Sequence, residues 1–271
     1  MAVKDQHLAL SSGVGLAGLA VTNFWEYGFQ AIEIFKEDLI EVVLKPTKVT
    51  AIHYYLSFFQ DICEEIHNME CNLDNMEDVF GFIERILNEV NLTPELPTPE
   101  FENCNDYEGH FECGCAKTVE LWVKYVSENS DHIDNLVTHS AFQFIFQDRK
   151  FLHDFHLELA NLIEDEMDFI KEKYPEYLTN KGRLKRQYFP EWLKSAVFYR
   201  DKGTCVICRC DLSNMIRSQN KIHIDHIVPL ELYGTNDASN MQLLCETCNT
   251  SKGARSTATS TINVPFWNLN V

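Results

Sequence analysis

The chain has 271 residues, 45% hydrophobic and 12% aromatic, which is enough apolar content for packed cores and excludes a largely disordered protein. Its formal charge of −18 excludes a chain that grips nucleic acid along its whole length, because that affinity rests on Lys and Arg neutralising phosphates. The charge is uneven: residues 1–180 hold 11 Lys and Arg against 34 Asp and Glu, a formal −23, whereas residues 181–271 hold 12 against 7, a formal +5. The asymmetry reads as two domains with different tasks, 1–180 and 181–271.

Leu8 to Trp25 contains no Asp, Glu, Lys or Arg, but it is rich in Gly, Ser and Ala and includes Thr22 and Asn23. A buried helix or loop is expected there, not a membrane span. Ile32, Phe35, Leu39 and Val43 suggest a helix that ends before Pro46. Ile52, Tyr55, Leu56, Phe59, Ile62, Cys63 and Ile66 recur at i, i+3, i+4 and i+7, and so do Met76, Val79, Phe80, Ile83, Ile86, Leu87 and Val90. Each run lays one apolar stripe along a helix, and Asp74 with Glu77 resembles a capping box opening the second. Residues 91–115 contain Pro94, Pro97 and Pro99 and cannot be helical throughout. Phe155, Leu159, Leu162, Ile163 and Ile170 suggest a late helix ending before Pro175, with Glu164, Asp165, Glu166 and Asp168 as a solvated face. The basic cluster Lys181, Arg183, Lys185 and Arg186 marks the domain junction.

Beyond the junction the texture changes. Glu191 to Arg200 reads as a short helix opened by Pro190. An extended stretch follows at Lys221–Asp225, a second at Met241–Leu244, and a last short helix over Cys248–Ala254. The expected class is therefore a mainly α N-terminal domain followed by a small α+β domain.

Five of the ten cysteines lie in this last part. Cys205 and Cys208 form one C-x-x-C pair and Cys245 and Cys248 another, which reads as metal binding in preference to a secreted disulfide framework, and places the chain in a reducing, cytoplasmic compartment. Four thiolates complete a closed tetrahedral zinc site with no position left for catalysis, and Cys210 falls outside the pattern as a spare thiol. A second set, Cys104, His110, Cys113 and Cys115, lies in the Pro-containing stretch; reduced thiols are the favoured reading, zinc ligation the alternative.

Between the C-x-x-C pairs stand His223-Ile-Asp225-His226-Ile-Val-Pro229-Leu and Asn240-Met-Gln-Leu-Leu-Cys245, and the second pair continues as Cys248-Asn249-Thr-Ser-Lys252-Gly253. Over roughly Phe189 to Arg255 this resembles the HNH, or ββα-metal, endonucleases. The resemblance implies a zinc-stabilised ββα-metal domain that hydrolyses DNA phosphodiester bonds. In it His226 resembles the general base, whose near-neutral reference pKa suits deprotonating water. Asp225 and Asn249 resemble the ligands of a catalytic magnesium or manganese ion, hard cations that favour oxygen donors. Asn240 resembles the structural Asn whose amide holds the loop that fixes His226. Lys252, Arg255, Arg200 and His223 are candidate substrate contacts, with solvated charges and an ordinary strand residue as the alternatives.

The resemblance stops short of residues 1–180. Repulsion of phosphate makes that acidic part a poor DNA-binding surface, so oligomerisation or docking of a sensor or ATPase-type protein is the preferred task, ahead of restraint of the nuclease or binding of a small ligand. Resemblance alone suggests an effector in bacterial restriction or anti-phage defence. The competing functions are an RNA-cleaving toxin with the same site and a non-catalytic zinc module that binds nucleic acid or protein.

Overall fold

Apolar residues at helical spacing build most of the chain. The computed structural model describes residues 8–73, 75–104, 109–213 and 221–260. In chain order they form α1 (Leu10–Thr22), α2 (Phe24–Ile34), α3 (Lys36–Val42), α4 (Ala51–Ser57), α5 (Ile62–Asn72), α6 (Met76–Glu89), α7 (Gly114–Glu128), α8 (Ser130–Ile145), α9 (Arg149–Asp165), α10 (Met167–Lys173), α11 (Glu191–Arg200), β1 (Ile222–His226), β2 (Met241–Cys245) and α12 (Glu246–Lys252). The chain is thus mostly helical, with one small two-stranded sheet and a helix near its C-terminus. Among the described residues no helix is long and apolar enough to cross a membrane.

The apolar stripe from Ile52 to Ile66 is divided between α4 and α5. Asp61 breaks it: its carboxylate accepts from the amides of Cys63 and Glu64, 3.0 Å each, and so caps α5. Asp74, expected to open the next helix, lies outside the described residues, and Asn75 is the cap of α6, accepting from the Glu77 amide. Helices α7 and α8 were not anticipated from the apolar periodicity.

By their contacts the described residues divide into two compact units that interleave along the chain, one within Met1–Ala20 and Leu56–Gln143, the other within Val21–Tyr55 and Phe144–Val271. The charge boundary near residue 180 therefore falls inside the second unit. In the first unit α5, α6 and α7 pack on one another around Ile66, Val79, Ile83, Val119 and Val126. Phe80 meets Trp122 edge to face at 5.2 Å, and the Trp122 indole N–H donates to the Pro97 carbonyl at 2.8 Å.

The second unit has two cores. An aromatic one joins Phe24, Tyr55, Phe151 and Phe155, with ring centroids 5.3–6.1 Å apart. The other gathers Leu193 and Val197 of α11, Val206, Leu212, and Met241, Leu243 and Leu244 of β2. Over it β1 and β2 pair antiparallel, with Ile222 opposite Cys245, Asp225 opposite Gln242 and His226 opposite Met241, and α12 packs on both strands.

Candidate active site

The site begins with the turn that leaves β1. Asn240, wholly buried, clamps it: its amide nitrogen donates to the carbonyls of Val228 (3.0 Å) and Thr235 (2.9 Å), and its amide oxygen accepts from the Val228 N–H (2.9 Å). Its backbone carbonyl accepts from the Ile227 N–H at 2.7 Å, directly after His226. The loop is drawn in so tightly that a Cβ on Gly234 would stand 1.9 Å from the Val228 carbonyl oxygen, so only glycine fits.

A second layer of buried polar groups fixes the loop from outside. Asp237 accepts from the amides of Ala51 (2.7 Å) and Ser239 (2.8 Å), and burial pushes its carboxyl above the usual range. The Asn236 side chain donates to the carbonyls of Leu44 (3.1 Å) and Lys185 (2.9 Å). His156 of α9 meets the Ser239 hydroxyl at 2.9 Å. Beneath β2, Asp201 binds Arg149 (3.2 Å), Arg200 (2.9 and 3.0 Å) and the Leu243 N–H (2.8 Å), all in the interior.

His226 itself is 4% exposed, and its Nε2 is buried without a hydrogen-bond partner. Phe189 lies edge-on to the ring at 5.6 Å. Burial, then the positive charge of Arg186, holds the imidazole down at about 4, against the opposing pull of Asp225 and a hydrogen bond with Asn236. The ring is therefore neutral at pH 7. The Lys252 ammonium, also buried, spans from the Asp225 carboxylate (2.9 Å) to the His226 carbonyl (2.8 Å), which ties the end of α12 to the end of β1. Asn249 lies one turn before Lys252, on the same side of α12, and is half-buried. Gln242, paired with Asp225 across the sheet, donates weakly to it at 3.5 Å.

The remaining candidate contacts fall in different places. His223 is half-buried with an unpartnered Nε2, and lines a groove of about 610 Å³ with Arg186, Phe189, Lys194 and Tyr199. Arg255 is exposed. Arg200 points into the interior, 3% exposed, where it binds Asp201 and the Met241 carbonyl and stacks on Phe146; it faces no substrate surface. Sequence reasoning passed over Arg186 as a junction residue. Here it donates to the Ile224 carbonyl at 2.7 Å, stacks on Phe189 and acts electrostatically on His226. A basic residue four positions before Pro190, the N-cap of α11, was the available signal.

Beside the site lies a cysteine cluster. The sulfurs of Cys205, Cys208, Cys210 and Cys245 all lie within 4.8 Å of one another, and the Cys248 amide donates to the Cys245 sulfur at 3.4 Å. Cys210, set aside in the sequence as a spare thiol, is thus drawn into the group. A tetrahedral ion with bonds of about 2.3 Å separates its sulfurs by about 3.8 Å; Cys208 and Cys245 stand 3.7 Å apart. Although burial opposes it, hydrogen bonds from the Cys210 amide and neighbouring thiols hold the Cys208 thiol down at about 7, while burial pushes Cys210 up to about 12 and Cys248 higher still. The donor set and spacing fit zinc.

Residues 205–255 match the profile of the family described as HNH endonuclease, and the N-terminal part of the chain matches no family. Comparison with curated proteins and with solved structures produced no match. The matched segment runs from the first cysteine of the cluster through β1, β2 and α12 to Arg255, and it supports a nuclease-type, metal-dependent chemistry acting on nucleic acid.

Proposed function

We propose that this protein is a divalent-metal-dependent endonuclease that hydrolyses phosphodiester bonds in DNA. The observation that carries the reading is the buried His226, with an unpartnered Nε2, held at the end of β1 beside Asp225 within the HNH-matched segment. In this reading His226 Nε2 accepts the proton of the attacking water, and Asn240 keeps the ring in place by clamping the turn that follows it. Asp225 and Asn249 would hold a magnesium or manganese ion, for which a carboxylate and an amide oxygen are suitable donors. Such an ion, when bound, supplies positive charge to the scissile phosphate and its leaving oxygen. Lys252 keeps the Asp225 carboxylate in position, and Arg186, Lys194 and Arg255 offer cations to the phosphate backbone. Cys205, Cys208, Cys245 and Cys248 hold a structural zinc, with Cys210 against them. The acidic 1–180 segment serves assembly, with a second copy or a protein partner, in the cytoplasm.

The purified chain incubated with plasmid, linear DNA and RNA, in chelator and in magnesium or manganese, is the test. Metal-dependent DNA cleavage is expected. His226→Ala should lower the rate by about 10²–10⁴-fold with zinc content and melting cooperativity retained. Full activity in that variant refutes the assigned base, and cleavage of RNA alone refutes the DNA assignment.

A further inference from the structure

Among the described residues, the other compact unit holds a group of ligating side chains outside the HNH-matched segment. The Sγ atoms of Cys104, Cys113 and Cys115 and a ring nitrogen of His110 all lie within 4.8 Å of one another. From this geometry we propose that Cys104, His110, Cys113 and Cys115 form a second, structural zinc site.

Four lines of geometry support it. The first is spacing: Cys113 Sγ lies 3.7 Å from His110 Nδ1, close to the separation that zinc–sulfur and zinc–nitrogen bonds of about 2.3 and 2.0 Å impose on two corners of a tetrahedron. The second is backbone conformation. Gly109 (φ 87°) and His110 (φ 61°) are consecutive left-handed residues, and the second is an uncommon conformation for a side chain with a Cβ. That pair of turns brings the imidazole back toward the cysteines, where Phe101 packs edge-on to it at 5.2 Å, while the Gly109 carbonyl accepts from the Met76 N–H at 2.9 Å.

The third is the local design. Cys113 is the N-cap of α7, its sulfur accepting from the Cys115 amide at 3.3 Å. Cys245 caps α12 in the same way, its sulfur accepting from the Cys248 amide at 3.4 Å. In each case a helix N-terminus and its free amides favour the thiolate, the form that ligates metal. The fourth is need. The stretch between α6 and α7 includes Pro94, Pro97 and Pro99, and its described residues contain one short 3-10 turn, Phe101–Asn103. Joining Cys104 to the start of α7 closes that stretch onto the helix, and metal binding then contributes directly to folding. Three thiolates and one imidazole leave no open position, so the ion is structural, and the soft sulfur donors select zinc over magnesium or calcium.

The test uses the full chain. Zinc released from the purified protein and counted against protein should be two per chain. Cys104→Ser with Cys113→Ser should lower that to one, and Cys205→Ser with Cys208→Ser should leave the other one in place. His110→Cys should keep two, and after cobalt replacement it should alter the visible absorption of one site toward all-sulfur ligation. If the double variant does not fold, alkylation mapping of the unaltered protein decides: Cys104, Cys113 and Cys115 should resist the reagent until the metal is chelated. Zinc content that is unchanged by Cys104→Ser with Cys113→Ser in a folded variant overturns the proposal. So does alkylation of these cysteines at equal rates before and after chelation, or resistance relieved by reductant instead of chelator, which would mark a disulfide.

Discussion

In the first compact unit the buried polar side chains are neutral: Gln60, Thr138 and Ser140. In the second they include Arg149, His156, Arg200, Asp201, His226, Asp237 and Lys252, so among the described residues every buried Asp, Glu, Lys, Arg and His lies there. Burying such groups costs desolvation, and removing one partner costs more than the pair contributes. The first unit draws its stability from apolar helix faces, which tolerate change in surface charge. The second accepts the cost of a polar interior and obtains a rigid loop on which His226 is held to one orientation.

Asp201 should expose this contrast most sharply. Asp201→Ala leaves Arg149 and Arg200 in the interior without their carboxylate and the Leu243 amide without its acceptor, a loss of about 3–5 kcal/mol in denaturant unfolding. A midpoint within experimental scatter of the unaltered protein would break the comparison. Asn240→Ala removes three buried hydrogen bonds from the turn after β1 and should cost about 3 kcal/mol in unfolding free energy. Under conditions where the variant is still folded, its cleavage rate should fall as well; a stable, fully active variant would show that the clamp is dispensable.

The effect of pH is smaller and has a definite sign. Burial lowers His156 from its ordinary 6.5 to about 3, reinforced by the charges of His226, Arg200 and His153. The unfolded chain takes up this proton near pH 6.5 and the folded one does not until about pH 3. The stability that depends on neutral His156 is therefore complete above 6.5 and is lost progressively as pH falls through that window, at about 1.4 kcal/mol per pH unit, or about 2 kcal/mol by pH ~5. His156→Gln should flatten that part of the stability–pH curve; an unchanged slope would assign it to another group. At the small end, Lys124 and Glu128 on α7 keep 74% and 62% of their side chains exposed, and Lys124→Ala should move the unfolding free energy by less than about 0.5 kcal/mol.

What could be read from the sequence follows the range of the interactions. The strands β1 and β2, α11 and α12 were legible because alternation, Pro190 and the cysteine pairs are local patterns. Asp61, with Glu64 three residues on, carried a capping signal that an uninterrupted apolar stripe concealed. The supports of the candidate site were not legible. His156 and Ser239 are 83 residues apart, Ala51 and Asp237 186, and Asn236 and Leu44 192, and no periodicity reports such pairings. Arg200 shows the same limit from the other side. A basic residue at a helix end reads as a surface cation until the partner that buries it, here the adjacent Asp201 shared with Arg149, is in view.

The hydrogen bonds that Asn236 and Asp237 make to Leu44 and Ala51 have a consequence for the order in which the protein is assembled. Synthesis runs from the N-terminus, so the carbonyl, the amide and the imidazole that receive this loop emerge from the ribosome well before the loop does. The framework of the second unit can form around Phe24, Tyr55, Phe151 and Phe155 while residues 235–240 are still untranslated. The turn that positions His226 is then among the last parts to lock, and a ribosome stalled before Asn240 leaves behind a chain without the clamp that a competent site requires.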